Sequence, residues 1–550
     1  MAAGYVGSEA CGRCHRKIYD SYIQTDMGRS MVLVDSAFLE RFPSSASMIN
    51  ERTNHHFEVF ARDGKLYESE YATSPDGKDI FRNTQQIDFV VGAAANGFGG
   101  IVQRGDYLFE APLSYFTSIK GWDFSPGYEF VDYGFGRPIL PACARCHSGR
   151  PELAPEGNGH FGRPPFFELA IGCENCHGPG RAHIEEQADI SRVPGSIVNP
   201  EKLSPWLADN ICMPCHQTGD ARVLREGKTY ADIRPGTPLD NTLSVFMVPF
   251  DRGSPPQSDL LEHYLSMRLS KCYRSSGKLS CITCHDPHAE PTSDSAPDYF
   301  KQKCLICHTL SSCTLALPKR QATSPPDNCI ACHMPKRSVR EISHAALTNH
   351  RIVTTPSEPF PDEAYNMTTA ALPDLVHLSA APGSDAAPSS LTLLQAYHDI
   401  VLSHPEYRAS YWALARQLAD AYPKNVTVLE ALADFSRYEG TDEGTADAIH
   451  DLELIRESGA KDSPDYEELA TLLIATGQWD EAVKVLRQGL DLIPDDQEMY
   501  RMLSNAYLYL GNKDQACALL NRAIQMFPED EVLRRSLVSC TGPDSTSPQN

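Results

Sequence analysis

No run of about 18 apolar residues occurs in the 550-residue sequence, so no segment is built to cross a bilayer as a helix. Positive charge is also short: 49 Lys and Arg face 72 Asp and Glu, a formal charge of -23 at neutral pH. That balance excludes nucleic acid as a partner, because phosphates are met by basic surfaces; it suits basic proteins or cationic surfaces instead. Apolar residues make up 41% of the chain and the mean hydropathy is -0.35. This is little for a chain long enough to form more than one domain. The opening stretch MAAGYVGSEACGRCH has neither a charged leader region nor an apolar segment.

Present in quantity is cysteine followed by histidine. The pattern Cys-x-x-Cys-His occurs seven times, at Cys11, Cys14, His15; Cys143, Cys146, His147; Cys173, Cys176, His177; Cys212, Cys215, His216; Cys281, Cys284, His285; Cys304, Cys307, His308; and Cys329, Cys332, His333. Random placement of the 18 Cys and 19 His would give about 0.02 copies. Two thiols one short turn apart can add to the two vinyl groups on one edge of a haem, and the histidine that follows then lies beneath the iron as an axial ligand. Zinc competes, because Cys284 and Cys304 are separated by 19 residues, within the range of paired zinc knuckles. Zinc does not require a histidine after every second cysteine, and here all seven pairs have one. Seven covalently attached haem c groups are therefore expected, and they would supply much of the apolar core that the composition lacks. Haem is attached in this way outside the cytoplasmic membrane, so the expected location is periplasmic or extracellular, with a signal peptide already removed.

The cysteines outside the motifs are Cys272, Cys313, Cys517 and Cys540. Cys272 and Cys313 bracket the fifth and sixth motifs; they are either a disulfide that clamps this region or two free thiols. Cys517 sits in a helical pattern, where a small core residue is expected. Around 55–135 the pattern changes to alternation: FEVFAR and KLYESEY flank Asp63-Gly64, a hairpin signal, and SPDGK turns the chain into IFRNTQQIDFVVG. Residues 356–390 hold Pro356, Pro359, Pro361, Pro373, Pro382 and Pro388 among small and polar residues. Further on, Tyr466 and Tyr500, Leu469 and Leu503, Gly477 and Gly511, Ala482 and Ala516, Leu486 and Leu520, and Pro494 and Pro528 are each 34 residues apart. Ala448 and Leu452 fall in register as an earlier, weaker copy. That period resembles the tetratricopeptide repeat, a helix-turn-helix unit.

The expected fold is mainly α. It has a haem-packed multihaem cytochrome domain over 1–355, with short helices, long loops and a small antiparallel β insertion at about 55–135. A proline-rich linker follows over 356–390, then an α-solenoid of tetratricopeptide type over 391–537 and a disordered tail over 538–550.

What fills the second axial position of each iron separates a conductor from an enzyme. Before residue 355 the histidines outside the motifs are His55, His56, His160, His183, His263, His288, His344 and His350. Adjacent His55 and His56 cannot both serve, which leaves about seven usable ligands for the irons. His288 lies too near His285, and His183 too near His177, to reach the opposite face of the same haem; each is expected to reach a neighbouring one.

The stretches YVGSEACGRCHRKIYDSYIQTDMGRSM, IGCENCHGPG, SIVNPEKLSPWLADNICMPCHQTGDARV, KLSCITCHDPH, and NCIACHMPKR followed by ISHAALTNHRI resemble multihaem cytochromes that carry a C-terminal tetratricopeptide domain. The haem part is similar to the tetrahaem cytochromes of ammonia oxidisers and, more distantly, to pentahaem nitrite reductases and octahaem hydroxylamine oxidoreductases. In that group the helix after the first motif often carries a histidine ligand where this chain has Met27. Met27 is thus either a thioether ligand, which would raise that haem's potential, or a methionine packed against porphyrin. The lysine that replaces a motif histidine at the catalytic haem of the nitrite reductases has no counterpart here.

The resemblance implies a secreted electron carrier, acting as a discrete particle or as a subunit of an extracellular conducting filament whose terminal haems meet across copies. Redox partner proteins or copies of itself are the expected partners, docked in part by the tetratricopeptide domain. The alternative is an oxidoreductase acting on a small nitrogen or sulfur compound at one five-coordinate haem.

Overall fold

The computed structural model describes residues 4–154, 159–188, 195–253, 262–339, 344–459 and 463–541. It is mainly helical, with a substantial antiparallel sheet component.

The β insertion is larger than the alternation suggested and begins earlier. Nine strands run in order: β1 Met31–Leu33, β2 Ser45–Asn50, β3 His55–Arg62, β4 Lys65–Thr73, β5 Asp79–Ile87, β6 Phe89–Val91, β7 Gly97–Arg104, β8 Tyr107–Phe116 and β9 Gly121–Phe124. They form a four-stranded sheet, β2-β3-β4-β5, and a five-stranded sheet, β1-β6-β7-β8-β9. The β3–β4 hairpin turns at Asp63 and Gly64, whose φ values of 52° and 74° suit the tight turn that matches strand twist. Phe57, Leu66 and Ile87 from one sheet and Phe98, Val102 and Phe109 from the other share one core, so the two sheets pack face to face. Glu68 is buried among them, and its Oε2 accepts the Leu113 N–H at 3.0 Å, a polar link between the sheets.

Residues 356–390 do not form a loose linker. Val376–His377 adds a third strand to an antiparallel sheet with Ala221–Leu224 and Leu243–Met247, and Leu372, Leu375 and Leu378 are buried. His377 Nε2 stands 2.7 Å from Asp240 Oδ1, and Asp240 also accepts from Ser244 and Arg225. The prolines break regular structure here without keeping the chain in solvent, because apolar residues spaced between them find the sheet.

From residue 390 the described chain is helical. Helices Ser390–Ile400 and Arg408–Leu418 share a core with Ala221, Val223 and Phe246 of the three-stranded sheet, so the helical array is joined directly to the motif-bearing half. The regular repeats follow: Ser463–Ala475 with Trp479–Leu492, then Gln497–Tyr509 with Lys513–Met526, each helix beginning 34 residues after its counterpart. Tyr466 and Tyr500, Leu469 and Leu503, Ala482 and Ala516, and Leu486 and Leu520 are all buried in one cluster, with Ala448 and Leu452. Gly477 and Gly511 have φ values of 78° and 76°, the left-handed conformation that closes each first helix.

Cys517 is not a free core residue. Helix Glu531–Thr541 folds back on Lys513–Met526, bringing Cys517 and Cys540 to a Cα separation of 5.7 Å, and the two form a disulfide. This helix also carries regular structure past 537, through the first residues assigned to a tail; 542–550 lie outside the described residues. Cys272 and Cys313, whose pairing the sequence left open, are free thiols.

Replacing both Cys517 and Cys540 by Ser is expected to lower the stability of the repeat domain by about 3 kcal/mol, read as an earlier urea midpoint for its helical signal. A second outcome concerns Asp240. Burial alone would raise its carboxyl, but His377, Ser244 and Arg225 hold it down at about 2, from an ordinary value of 3.8. A depressed carboxyl contributes stability above its unfolded value and loses it as pH falls through the folded one. Stability should therefore drop between about pH 4 and pH 2, and Asp240→Asn should flatten the drop in acid titrations of the melting temperature.

Candidate cofactor-binding site

Each motif sits on or beside a short helix: Ser8–Gly12, Pro141–His147, Cys173–His177, Pro205–His216, Cys281–Cys284, Ala296–Leu305 and Cys329–His333. A single turn brings both thiols of a motif to one side and lets the histidine follow at its end. All fourteen motif cysteines are free thiols.

Carboxylates, buried at Glu174 and Asp209 and half-buried at Glu168, hold several of these helices by their N-terminal N–H groups. Glu174, inside the third motif, accepts from Val6 and Gly7 ahead of the first motif at 3.1 and 2.8 Å, and from Gly180 at 2.7 Å. Glu168 accepts the Ser8 N–H at 2.9 Å. Asp209 accepts from Ser280 Oγ at 2.6 Å and from Cys281 N at 2.9 Å, fixing the fifth motif to the helix of the fourth. Sequence reasoning missed these three acids. Their signal was position: Glu174 lies between two motif cysteines, and Asp209 lies three residues before Cys212.

The motifs therefore meet in pairs across long stretches of chain. Cys11 stands beside Cys173, Cys146 beside Cys215, and Cys212 beside Cys281. In the Cys146–Cys215 pair, Cys146 is the more acidic thiol; the neighbouring Cys215 thiol holds it down at about 6, burial opposes this, and Arg222 and Arg145 help.

Histidines pair the same way. The His15 and His183 rings have centres 6.5 Å apart and planes 18° from parallel. His177 and His288 are 5.9 Å apart at 10°. A cluster joins His216 to His263 at 5.5 Å, His263 to His350 at 4.2 Å, and His350 to His285 at 6.0 Å. Two imidazoles bound to one metal ion through bonds of about 2 Å have ring centres about 6 Å apart. Backbone carbonyls orient several rings: Val198 O lies 2.7 Å from His177 Nδ1, Val353 O 2.6 Å from His333 Nδ1, and Thr348 O 3.0 Å from His350 Nδ1. An Nδ1–H held on a carbonyl leaves Nε2 as the free lone pair, the usual support for a metal-ligating histidine. Burial lowers His263 to about 3, with His350, His216 and His285 adding to it, and lowers His350 to about 4. These rings are neutral at ordinary pH.

The other proposed ligands stand elsewhere. His55 is bonded to Glu70 and Asp132, His56 stacks on Tyr71, and His160 meets Tyr107. His344 Nε2 is 2.7 Å from Asp123. Among the described residues none of these four has its ring beside a motif histidine, and neither His147, His308 nor His333 has a second histidine ring beside it. Met27 opens a short 3-10 turn, and the preceding Asp26 N–H is held by Glu290, just beyond His288.

One further observation bears on whether a large apolar group fits. Among the described residues from 281 to 344 not one is buried, although three motifs lie there. Ile306 is 69% exposed, and Leu310 and Leu317 are each 54% exposed. Beyond Cys281, which packs at the edge of a neighbouring apolar cluster, none of the protein's core clusters includes a residue of these helices. Apolar side chains, free thiol pairs and imidazoles collected in one place suit a flat apolar group with a metal at its centre, so the residues fit haem.

Residues 452–539 match the tetratricopeptide repeat family. No curated protein matches the chain. Similar solved structures include a MamA protein, 18% identical over 28% of this chain and 80% of that one, with a TM-score of 0.25. A thermophilic tetratricopeptide protein of Thermus thermophilus, TTC0263, is 19% identical over 27% and 79%, with a TM-score of 0.22. MamA of Desulfovibrio magneticus RS-1 is 13% identical over 28% and 85%, with a TM-score of 0.24. The C-terminal region is a tetratricopeptide repeat domain, a class that typically mediates protein–protein contacts.

Glu174→Ala would leave the Val6, Gly7 and Gly180 N–H groups without their acceptor and is expected to cost about 2 kcal/mol. Denaturant melts should show that loss, with Glu174→Gln, which keeps one acceptor oxygen, falling between the variant and wild type.

Proposed function

We propose that the chain is a heptahaem c-type cytochrome that carries electrons outside the cytoplasm. One observation carries the reading: two motif histidines, His15 and His177, each face a histidine from a distant segment, His183 or His288, at a spacing that accommodates one metal ion. When bound, haem supplies an iron that takes up and releases one electron, and closely spaced haems pass electrons between protein surfaces.

The chain's own residues supply the rest. Paired cysteines anchor each group covalently, carbonyl-held histidines set ring orientation, and histidines donated across motifs require neighbouring groups to lie close together. Glu168, Glu174 and Asp209 fix the distances between motifs. The Cys517–Cys540 disulfide suits an oxidising compartment. The repeat domain is read as the docking element for a redox partner or another copy, and terminal haems meeting across copies would extend the path into a filament.

A second reading keeps an enzyme in view, because His147, His308 and His333 lack a facing histidine ring among the described residues. An open iron at one of them would admit a small nitrogen or sulfur compound.

The pyridine haemochrome assay on protein from a host able to attach haem c should give seven haems per chain. Stoichiometric zinc with no haem would overturn the proposal. In low-temperature electron paramagnetic resonance of the oxidised protein, low-spin signals that ignore nitrite and hydroxylamine are expected; a high-spin signal shifted by either ligand would move the function to the second reading. His288→Ala should turn one low-spin iron high-spin.

A further inference from the structure

Away from the motifs, three side chains with lone pairs converge where the β sandwich faces the repeat domain. His55 opens β3, Glu70 lies on β4, and Asp132 belongs to the loop after β9; one donor atom from each lies within 4.8 Å of the other two. His55 Nδ1 is 2.6 Å from Glu70 Oε1 and 3.0 Å from Asp132 Oδ2. The Asp132 Oδ1 atom is occupied by the Gly134 N–H at 3.1 Å, which turns Oδ2 toward the cluster.

The Glu70 side chain is 0% exposed, and its second oxygen, Oε2, receives no hydrogen bond. Glu529 approaches from the turn before the last helix. It is 8% exposed, accepts from Asn83 Nδ2 at 3.0 Å, and lies over Gly134, where its carboxylate takes up the space a Cβ would need. Arg534 is within electrostatic reach of Glu529 and Glu70, with its guanidinium over the Phe81 ring at 4.8 Å.

One Nδ1 carries at most one proton and cannot satisfy both carboxylates that face it, while Glu70 Oε2 has no donor. Carboxylates gathered in a buried place repel one another unless one of them takes up a proton or a cation lies among them. Nitrogen and oxygen donors on one metal ion, at bonds of about 2.0–2.2 Å, sit about 3 Å from one another; His55 Nδ1 stands 3.0 Å from Asp132 Oδ2 and closer, 2.6 Å, to Glu70 Oε1. One imidazole among carboxylates suits a first-row divalent ion, whereas calcium takes six to eight oxygens.

We propose that His55, Glu70 and Asp132 hold a divalent transition-metal ion of the zinc or manganese kind, which ties β3 and β4 to the loop on which the last repeat rests. This site shares no residue with the motifs, and it stands whether or not the haem reading holds.

The test uses the full-length, haem-loaded protein. Non-iron metal content is measured by inductively coupled plasma mass spectrometry before and after dipicolinate treatment, then Zn2+ alone or Mn2+ alone is returned while the melting temperature is followed by calorimetry. The expected result is one equivalent of non-iron metal, a melting temperature that falls by several degrees on chelation, and recovery with one of the two ions. His55→Gln and Glu70→Gln should each abolish retention and make the melting temperature indifferent to chelator. Absence of non-iron metal together with no uptake by the chelated wild type would overturn the proposal and leave a network of shared protons. Undiminished binding in His55→Gln would overturn it as well, by placing the ion elsewhere. Should Glu70→Gln fail to fold, the wild-type titration and His55→Gln decide the matter.

Discussion

The organisation of the first half of the chain depends on histidines that leave their own motif and face another. His183 follows the third motif by a few residues yet lies beside His15 of the first; His288 follows the fifth and lies beside His177 of the third. Each such pairing brings together two remote segments, and on the proposed reading a shared iron would set how near the motifs stand. Acidic side chains perform the complementary task on the backbone side, since Glu174 and Glu168 dock the first motif on the third, and Asp209 docks the fifth on the fourth. Helices as short as one turn have no stability alone, so these cross-links do what a hydrophobic core does elsewhere.

The contrast with the rest of the molecule is physical. The β sandwich and the helical array each have an apolar cluster that accounts for their packing. Between 281 and 344 the described residues include none that is fully buried. On the proposed reading the haem groups provide that missing interior, which also explains the modest apolar fraction. The repeat domain is not a separate module on a tether: its first helices close over the three-stranded sheet, and its last turn reaches the sandwich through Glu529 and Asn83. A partner bound by the repeats would thus be held at a defined place relative to the motifs.

Local signals were legible where chemistry and geometry repeat at short range. Asp63-Gly64 announced a hairpin because only a few residues tolerate positive φ in adjacent positions, and the 34-residue recurrence of Tyr, Leu, Ala and Gly announced stacked helix pairs. The strand Ser45–Asn50, SASMIN, was missed because it has little β-branched character and is ordered by its neighbour β3. The segment around Val376 looked like a linker because proline is visible in sequence while its sheet partner, over a hundred residues earlier, is not. Cys517 gave no hint of Cys540 because their meeting depends on a helix folding back.

The residues alone determined the seven Cys-x-x-Cys-His motifs, on which the haem proposal rests, and the repeat architecture, because each is written within a few residues or at a constant period. Only the tertiary structure decided which motif stands beside which, which distant histidine faces each ring, that two cysteines form a bridge, and that His55 joins Glu70 and Asp132. These are contacts between segments far apart in the chain, and the free energy of such contacts comes from burial and charge placement that no local pattern encodes.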